Sequence, residues 1–170
     1  MKWYVLFVVG GKENQIKSFL NKKYKDWIAF FPMIQKIYRI KGVNSLRLKP
    51  LFPNYIFVKS EIDGIEFKRR LFEVRNQMAG IIKELNYEND EIPALREDEI
   101  AYLQQLLDKN YKIVPSKGYM KEGRVVITEG PLKGLEDQIL KVNFHNRSAL
   151  LQFKFLDEMK TISVSLEVYK

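Results

Sequence analysis

The apolar positions change their period along the chain, and the changes mark the elements. Trp3-Tyr4-Val5-Leu6-Phe7-Val8-Val9 is a run of β-branched and aromatic residues closed by Gly10-Gly11, the signature of a buried strand. Ile16, Phe19, Leu20 and Tyr24 then recur at helical spacing with lysines and Asn21 between them, which predicts an amphipathic helix. Trp27 to Phe31 predicts a second strand, stopped by Pro32. Met33 to Lys49 reads as a hairpin with its turn at Gly42-Val43-Asn44-Ser45. Pro50 to Val58 reads as a turn running into a strongly apolar strand. Ser60 to Asp63 predicts a capping box opening a helix whose apolar face holds Ile65, Phe67, Leu71 and Phe72. Ala79 to Lys83 predicts a short strand. A last helix opens on Glu97-Asp98-Glu99, where acids suit the helix dipole, and carries Ile100, Leu103 and Leu107. The order βαβββαβα implies an α+β sandwich: one antiparallel or mixed sheet with helices packed on it.

Beyond Tyr111 the period becomes that of strands. Residues 111–120, with Pro115, Ser116 and Gly118, have no clear period and read as a linker. Val125 to Thr128, Ile139 to Val142, the alternating Leu151/Phe153/Phe155 and the alternating Ile162/Val164/Leu166/Val168 follow at short intervals, separated by turn residues. Short strands so spaced predict a small β-barrel. The expected division is residues 1–110, a linker over 111–120, and residues 121–170.

Charge sharpens this picture. The 170 residues hold 29 Lys and Arg against 21 Asp and Glu, a net +8, which favours a polyanionic partner such as nucleic acid. The excess is shared, +5 over residues 1–110 (19 basic, 14 acidic) and +3 over 111–170 (10 and 7), so any binding surface is a patch rather than a tail. No Cys is present and His145 is the single His, which leaves no thiolate or histidine cluster for a metal. Neither a nucleophile elbow nor a P-loop is visible, so the expectation is a protein that is not an enzyme and needs no cofactor. The first apolar run is too short for a signal-peptide core, and no run approaches the roughly 20 apolar residues of a membrane helix. A soluble, cytoplasmic protein without membrane contact, monomeric, is expected.

Two stretches carry the resemblance to known proteins. Glu122-Gly123-Arg124-Val125-Val126-Ile127-Thr128-Glu129-Gly130-Pro131-Leu132-Lys133-Gly134 resembles the KOW motif: a strand, a Gly-Pro turn, and Gly134 supplying a positive φ or a close approach. Trp3-Tyr4-Val5, the basic hairpin and Phe52-Pro53-Asn54-Tyr55-Ile56-Phe57-Val58 resemble the amino-terminal (NGN) domain of the NusG family. Asn54 stands where that family commonly has Gly, and Asn tolerates the left-handed conformation better than most residues. Within the family the chain is similar to the specialised antitermination paralogs of the LoaP type, through the acidic helix opening and the basic barrel.

The resemblance implies an NGN α/β sandwich followed by a KOW (SH3-like) barrel, and partners to match. Trp3, Phe52, Pro53, Tyr55 and Phe57 fall at positions that contact RNA polymerase in the family, although alternation alone makes either Tyr55/Phe57 or Ile56/Val58 core. Lys36, Arg39, Lys41, Arg47 and Lys49, with no acid between Met33 and Lys49, are candidates for contact with non-template DNA or else a solvated loop. Arg124, Lys133, Lys141, His145, Asn146 and Arg147 are candidates for binding a nascent leader RNA hairpin, or ordinary turn chemistry. A housekeeping NusG, whose barrel recruits protein partners, and a ribosome-associated KOW protein are the other readings.

Overall fold

The structure is a computed structural model, and it describes residues 1–88 and 94–169. Among the described residues, twelve strands and three α-helices fall into two units: residues 1–31 with 52–100, and residues 32–51 with 101–170. The third helix, α3 (Glu97–Leu106), begins in the first and ends in the second.

In the first unit, β1 (Lys2–Val8), β2 (Ile28–Phe30), β5 (Tyr55–Ser60) and β6 (Ile81–Glu84) form a sheet in the order β2-β5-β1-β6 with every pairing antiparallel. Tyr4, Leu6 and Val8 of β1, with Ile56 and Val58 of β5, pack beneath α1 (Glu13–Lys23) and α2 (Gly64–Gln77), which contribute Ile16 and Leu20, and Phe67, Leu71 and Val74. Tyr4 stacks on Phe67 at 3.9 Å between ring centroids. Asn54 lies in the left-handed region at φ 68°, as its place in the turn before β5 requires, and its carbonyl accepts from the Val8 N–H at 2.8 Å.

Two expectations for α2 are corrected. The N-cap is Asp63, whose carboxylate accepts from the Glu66 N–H at 2.9 Å; Ser60 ends β5 and is buried. Ile65 and Phe72 lie on the outer face, 82% and 68% exposed, because helix rotation places Gly64, Phe67, Leu71 and Val74 against the sheet and turns their i+1 neighbours away.

In the second unit, β3 (Met33–Ile40) and β4 (Val43–Pro50) form a hairpin, and β7 (Lys112–Ile113) runs parallel to the base of β3. The turn is Lys41-Gly42, with φ 50° and 79°, a two-residue connection of the kind that suits strand twist; Val43 to Ser45, expected in the turn, are already strand. The other sheet is ordered β10-β11-β12-β8-β9, from β8 (Ser116–Lys121), β9 (Arg124–Glu129), β10 (Ile139–Asn143), β11 (Ser148–Phe155) and β12 (Glu158–Tyr169). It is a half-barrel whose edges are β9 and β10, with a 3-10 turn over Glu136–Gln138 whose Glu136 carboxylate accepts from the Ile127 N–H at 3.3 Å. Ala149, Leu151, Phe153 and Phe155 alternate inward, joined by Ile162, Val164 and Leu166.

The expected linker is not one. Residues 116–121 are β8, which lies between β12 and β9. Gly118 is there because a Cβ would stand 2.3 Å from the Val126 carbonyl oxygen at a register shift, and Ser116 is buried with its hydroxyl accepting from the Leu132 N–H at 3.0 Å. The basic hairpin likewise groups with the half-barrel rather than with residues 1–31. Its β3 strand meets β12, the Ile37 N–H donating to the Ser165 hydroxyl at 3.0 Å and the Lys36 ammonium to the Ser163 carbonyl.

Candidate nucleic-acid interface

The register of the β3–β4 hairpin sets its chemistry. Lys36 stands opposite Arg47, Ile34 opposite Lys49 and Tyr38 opposite Ser45, so Lys36, Tyr38, Arg47 and Lys49 share one face. The Arg47 guanidinium and the Lys49 ammonium lie 5.0 and 5.2 Å from the Tyr38 ring centroid. Lys36 is half-buried, and burial, aided by Lys49, lowers the pKa of its ammonium. Lys41 is at the tip.

The β10–β11 turn is held by its own backbone. Asn143 accepts from the Asn146 N–H through its side chain at 2.9 Å, and the Arg147 carbonyl accepts from the Leu166 N–H at 2.9 Å. Arg147 takes a left-handed conformation, φ 48°, and its guanidinium stands 3.5 Å from the Glu167 carboxylate.

These two elements line one cleft of about 880 Å³. The hairpin contributes Lys36, Ile37, Tyr38, Arg39 and Gly42; the turn contributes Phe144, His145, Asn146 and Arg147, with Ser148 beside it; Ser163 completes the wall. Two candidate sets that the sequence assigned to different partners, Lys36/Arg39 and His145/Asn146/Arg147, therefore meet. Among the described residues no carboxylate lines the cleft itself; Lys36 and Arg39 make the hairpin wall positive, while on the turn wall the Arg147 charge is partly offset by Glu167 at 3.5 Å. A second cleft of about 630 Å³ lies on the other side of Phe144 and Arg147, between the turn and Met120, Leu166, Glu167, Val168 and Tyr169; it is the more apolar of the two and contains an acid.

Arg124, Lys133 and Lys141 line neither cleft. Arg124 opens β9 opposite Lys121, Lys141 lies on β10 opposite Leu150, and Lys133 sits in the Gly130–Gly134 turn, where its carbonyl accepts from the Gln105 amide at 3.4 Å. All three side chains are exposed. Gly130 and Gly134 both have positive φ, 100° and 84°, as the KOW-like turn demands. Two lining aromatics, Tyr38 and Phe144, were absent from the candidates drawn from the sequence. The available clue was that Phe144 follows the last strand position of β10, where the apolar pattern should have stopped.

The aromatic set of the first unit lies on the sheet face opposite α1 and α2. Trp3 contacts Phe30 edge-on at 5.3 Å and Phe57 at 6.4 Å; Phe52 reaches Phe57 at 5.9 Å and Tyr55 at 6.0 Å. The Lys59 ammonium is 4.5 Å from the Trp3 ring. Trp3, Phe52 and Phe57 are buried, Tyr55 is half-buried and Pro53 is exposed. Both faces of β5 are thus largely buried, and the alternation that offered a choice between Tyr55/Phe57 and Ile56/Val58 had no single answer. Among the described residues no group of three or more His, Asp or Glu side chains is placed to hold a metal, and no helix is long and apolar enough to cross a membrane.

An antiparallel sheet carrying helices, a basic hairpin and a half-barrel with a Gly-Pro turn define an α+β architecture. Residues 1–104 match the family model described as transcription termination factor NusG, and the chain belongs to the NusG family of transcription factors. Its fold is similar to that of NusG from Thermotoga maritima, at a TM-score of 0.52 and 14% sequence identity, over 96% of this chain and 93% of that one.

Proposed function

We propose that this chain is a transcription elongation and antitermination factor of the specialised LoaP type, acting without catalysis. It binds RNA polymerase through its first unit and a structured leader RNA hairpin through its half-barrel, and so promotes read-through of terminators. The observation that carries this reading is the cleft in which Lys36, Arg39, His145 and Arg147 converge, Arg147 alone of them facing a carboxylate, that of Glu167. Phosphates on either side of an RNA groove suit cations on two walls, and a turn residue such as Asn146 or Arg147 suits a distorted or unpaired base. Polymerase contact falls to the aromatic cluster, at its accessible end: Pro53 and Tyr55, backed by buried Trp3, Phe52 and Phe57. Lys41, Arg47 and Lys49 on the exposed hairpin remain available to non-template DNA.

A second reading has its own support. The apolar cleft of Met120, Leu166, Val168 and Tyr169 suits a protein partner, as in a housekeeping factor. Gel-shift titrations at two salt concentrations separate the two. With wild type, a stem-loop RNA is expected to bind better than a duplex DNA of equal length. Arg147→Ala should lose about 1–3 kcal/mol and selectivity, while Arg39→Ala should weaken all RNAs alike and lower the salt slope by about one. Equal affinity for stem-loop, single strand and duplex DNA would leave the protein-recruiting reading.

A further inference from the structure

Phe144 is 58% exposed. It follows the last residue of β10, and it stacks on no other ring among the described residues. A phenylalanine at the tip of a tightly held turn leaves apolar area in water, where a polar residue would serve the turn equally well. Yet the ring forms part of the wall of the cation-lined cleft, and Tyr38, flanked by Arg47 and Lys49, contributes to the same cleft.

We infer that this cleft is a nucleotide pocket, in which an unpaired base of the RNA stacks on Phe144 while Lys36, Arg39 and Arg147 take the flanking phosphates. The inference rests on the RNA-binding reading above and names what that site accepts. An aromatic face is the one feature of the cleft that a phosphate does not use and a base does. A base within a duplex has both faces covered by its neighbours, so the ligand is a loop, bulge or single-stranded segment. The volume, about 880 Å³, lies within the range of small-ligand sites and holds a nucleotide. Ser148 and Ser163 contribute lining beside the cations, polar surface suited to a ribose 2′-hydroxyl. The neighbouring cleft shares Phe144 and Arg147 but is also lined by Glu167, 3.5 Å from the Arg147 guanidinium; a carboxylate repels a phosphate, so the ring is used from the Lys36 side, where Lys36 and Arg39 are the leading phosphate contacts. The turn is already fixed by Asn143 and by the Leu166 N–H, so little ordering is required when a base docks.

The test uses the full chain and RNA probes carrying 2-aminopurine: a stem-loop labelled in its loop, a short single strand, and a fully paired duplex. Wild type is expected to quench the label in the loop and the single strand but not in the duplex. Phe144→Ala should abolish the quenching and weaken stem-loop binding by about 10-fold, with the melting temperature unchanged; Phe144→Trp should restore both. If Phe144→Ala binds as wild type does while Arg147→Ala has lost affinity, the RNA reading stands and the pocket is overturned. Equal quenching of the duplex label, or a deoxy stem-loop bound as tightly as the ribo form, would also overturn it. Absence of RNA binding by wild type at low salt would remove the RNA reading itself.

Discussion

The Ile37 amide donates to the Ser165 hydroxyl at 3.0 Å, joining strands 128 positions apart in the chain. Near its base β3 pairs with β7 at Met33 and Ile34, but at Ile37 its free edge is met by a side chain instead of a strand. Ser165 is itself buried, and Ile37 is half-buried beside the cleft. Ser165→Ala is therefore expected to cost about 0.5–1.5 kcal/mol, the net worth of the lost hydrogen bond. Urea denaturation would read the loss, and hydrogen exchange at the Ile37 amide should accelerate.

Gly118 tests the strand that the sequence conceals. A Cβ there would stand 2.3 Å from the Val126 carbonyl oxygen, so Gly118→Ala must push β8 from β9. A cost of about 1–3 kcal/mol is expected from such overpacking. Gly123→Ala, at φ 77° with open space around it, should cost about 1–2 kcal/mol through backbone conformation alone and leave the sheet intact. Denaturation midpoints with backbone amide spectra of β8 separate the two.

The aromatic cluster of the first unit divides into support and contact. Phe57 is fully buried among Trp3, Phe30 and Phe52, so Phe57→Ala should destabilise by about 3–5 kcal/mol. Tyr55 is half-buried at the edge of the cluster, and Tyr55→Ala should keep the fold while weakening capture of core RNA polymerase. A pull-down of each variant, paired with its melting curve, checks this; undiminished capture by a folded Tyr55→Ala protein would move the polymerase contact elsewhere.

The α2 ion network gives an acid limb to stability. Hydrogen bonds from Arg69 and then Arg70 hold the Glu66 carboxylate down to about 2, from an ordinary 4.5. The native state binds the proton less readily than the unfolded chain, so the contribution is complete above about pH 4.5 and lost as the pH falls towards about 2. The melting-temperature difference between wild type and Glu66→Gln should therefore be constant near neutrality and vanish across that window.

Much of this protein was legible without coordinates because the information was local. The 3.6-residue period at Ile16 and Leu20, the strict alternation at Leu151, Phe153 and Phe155, the φ-positive demand met by Asn54 and Gly134, and the Gly-Pro turn each depend on neighbours within a few residues. Local signals failed where one residue has two meanings. Gly118 reads as a breaker, but it is a close approach between strands. Ile65 and Phe72 read as core by hydrophobicity, but the helix rotation that buries Phe67 and Leu71 turns them outward.

The cleft itself is the work of tertiary structure. Lys36 and Arg39 lie more than a hundred residues from His145 and Arg147, and no period in the chain relates them. Their meeting follows from β12 passing beside β3, an approach fixed by the Ser165 hydroxyl and by the Lys36 ammonium on the Ser163 carbonyl. The residue types, and hence the chemistry available, were written in the sequence. Which cations share one field, and which aromatic ring stands between two clefts, was decided by long-range packing, because only folding brings charges from distant segments within the range at which they act together.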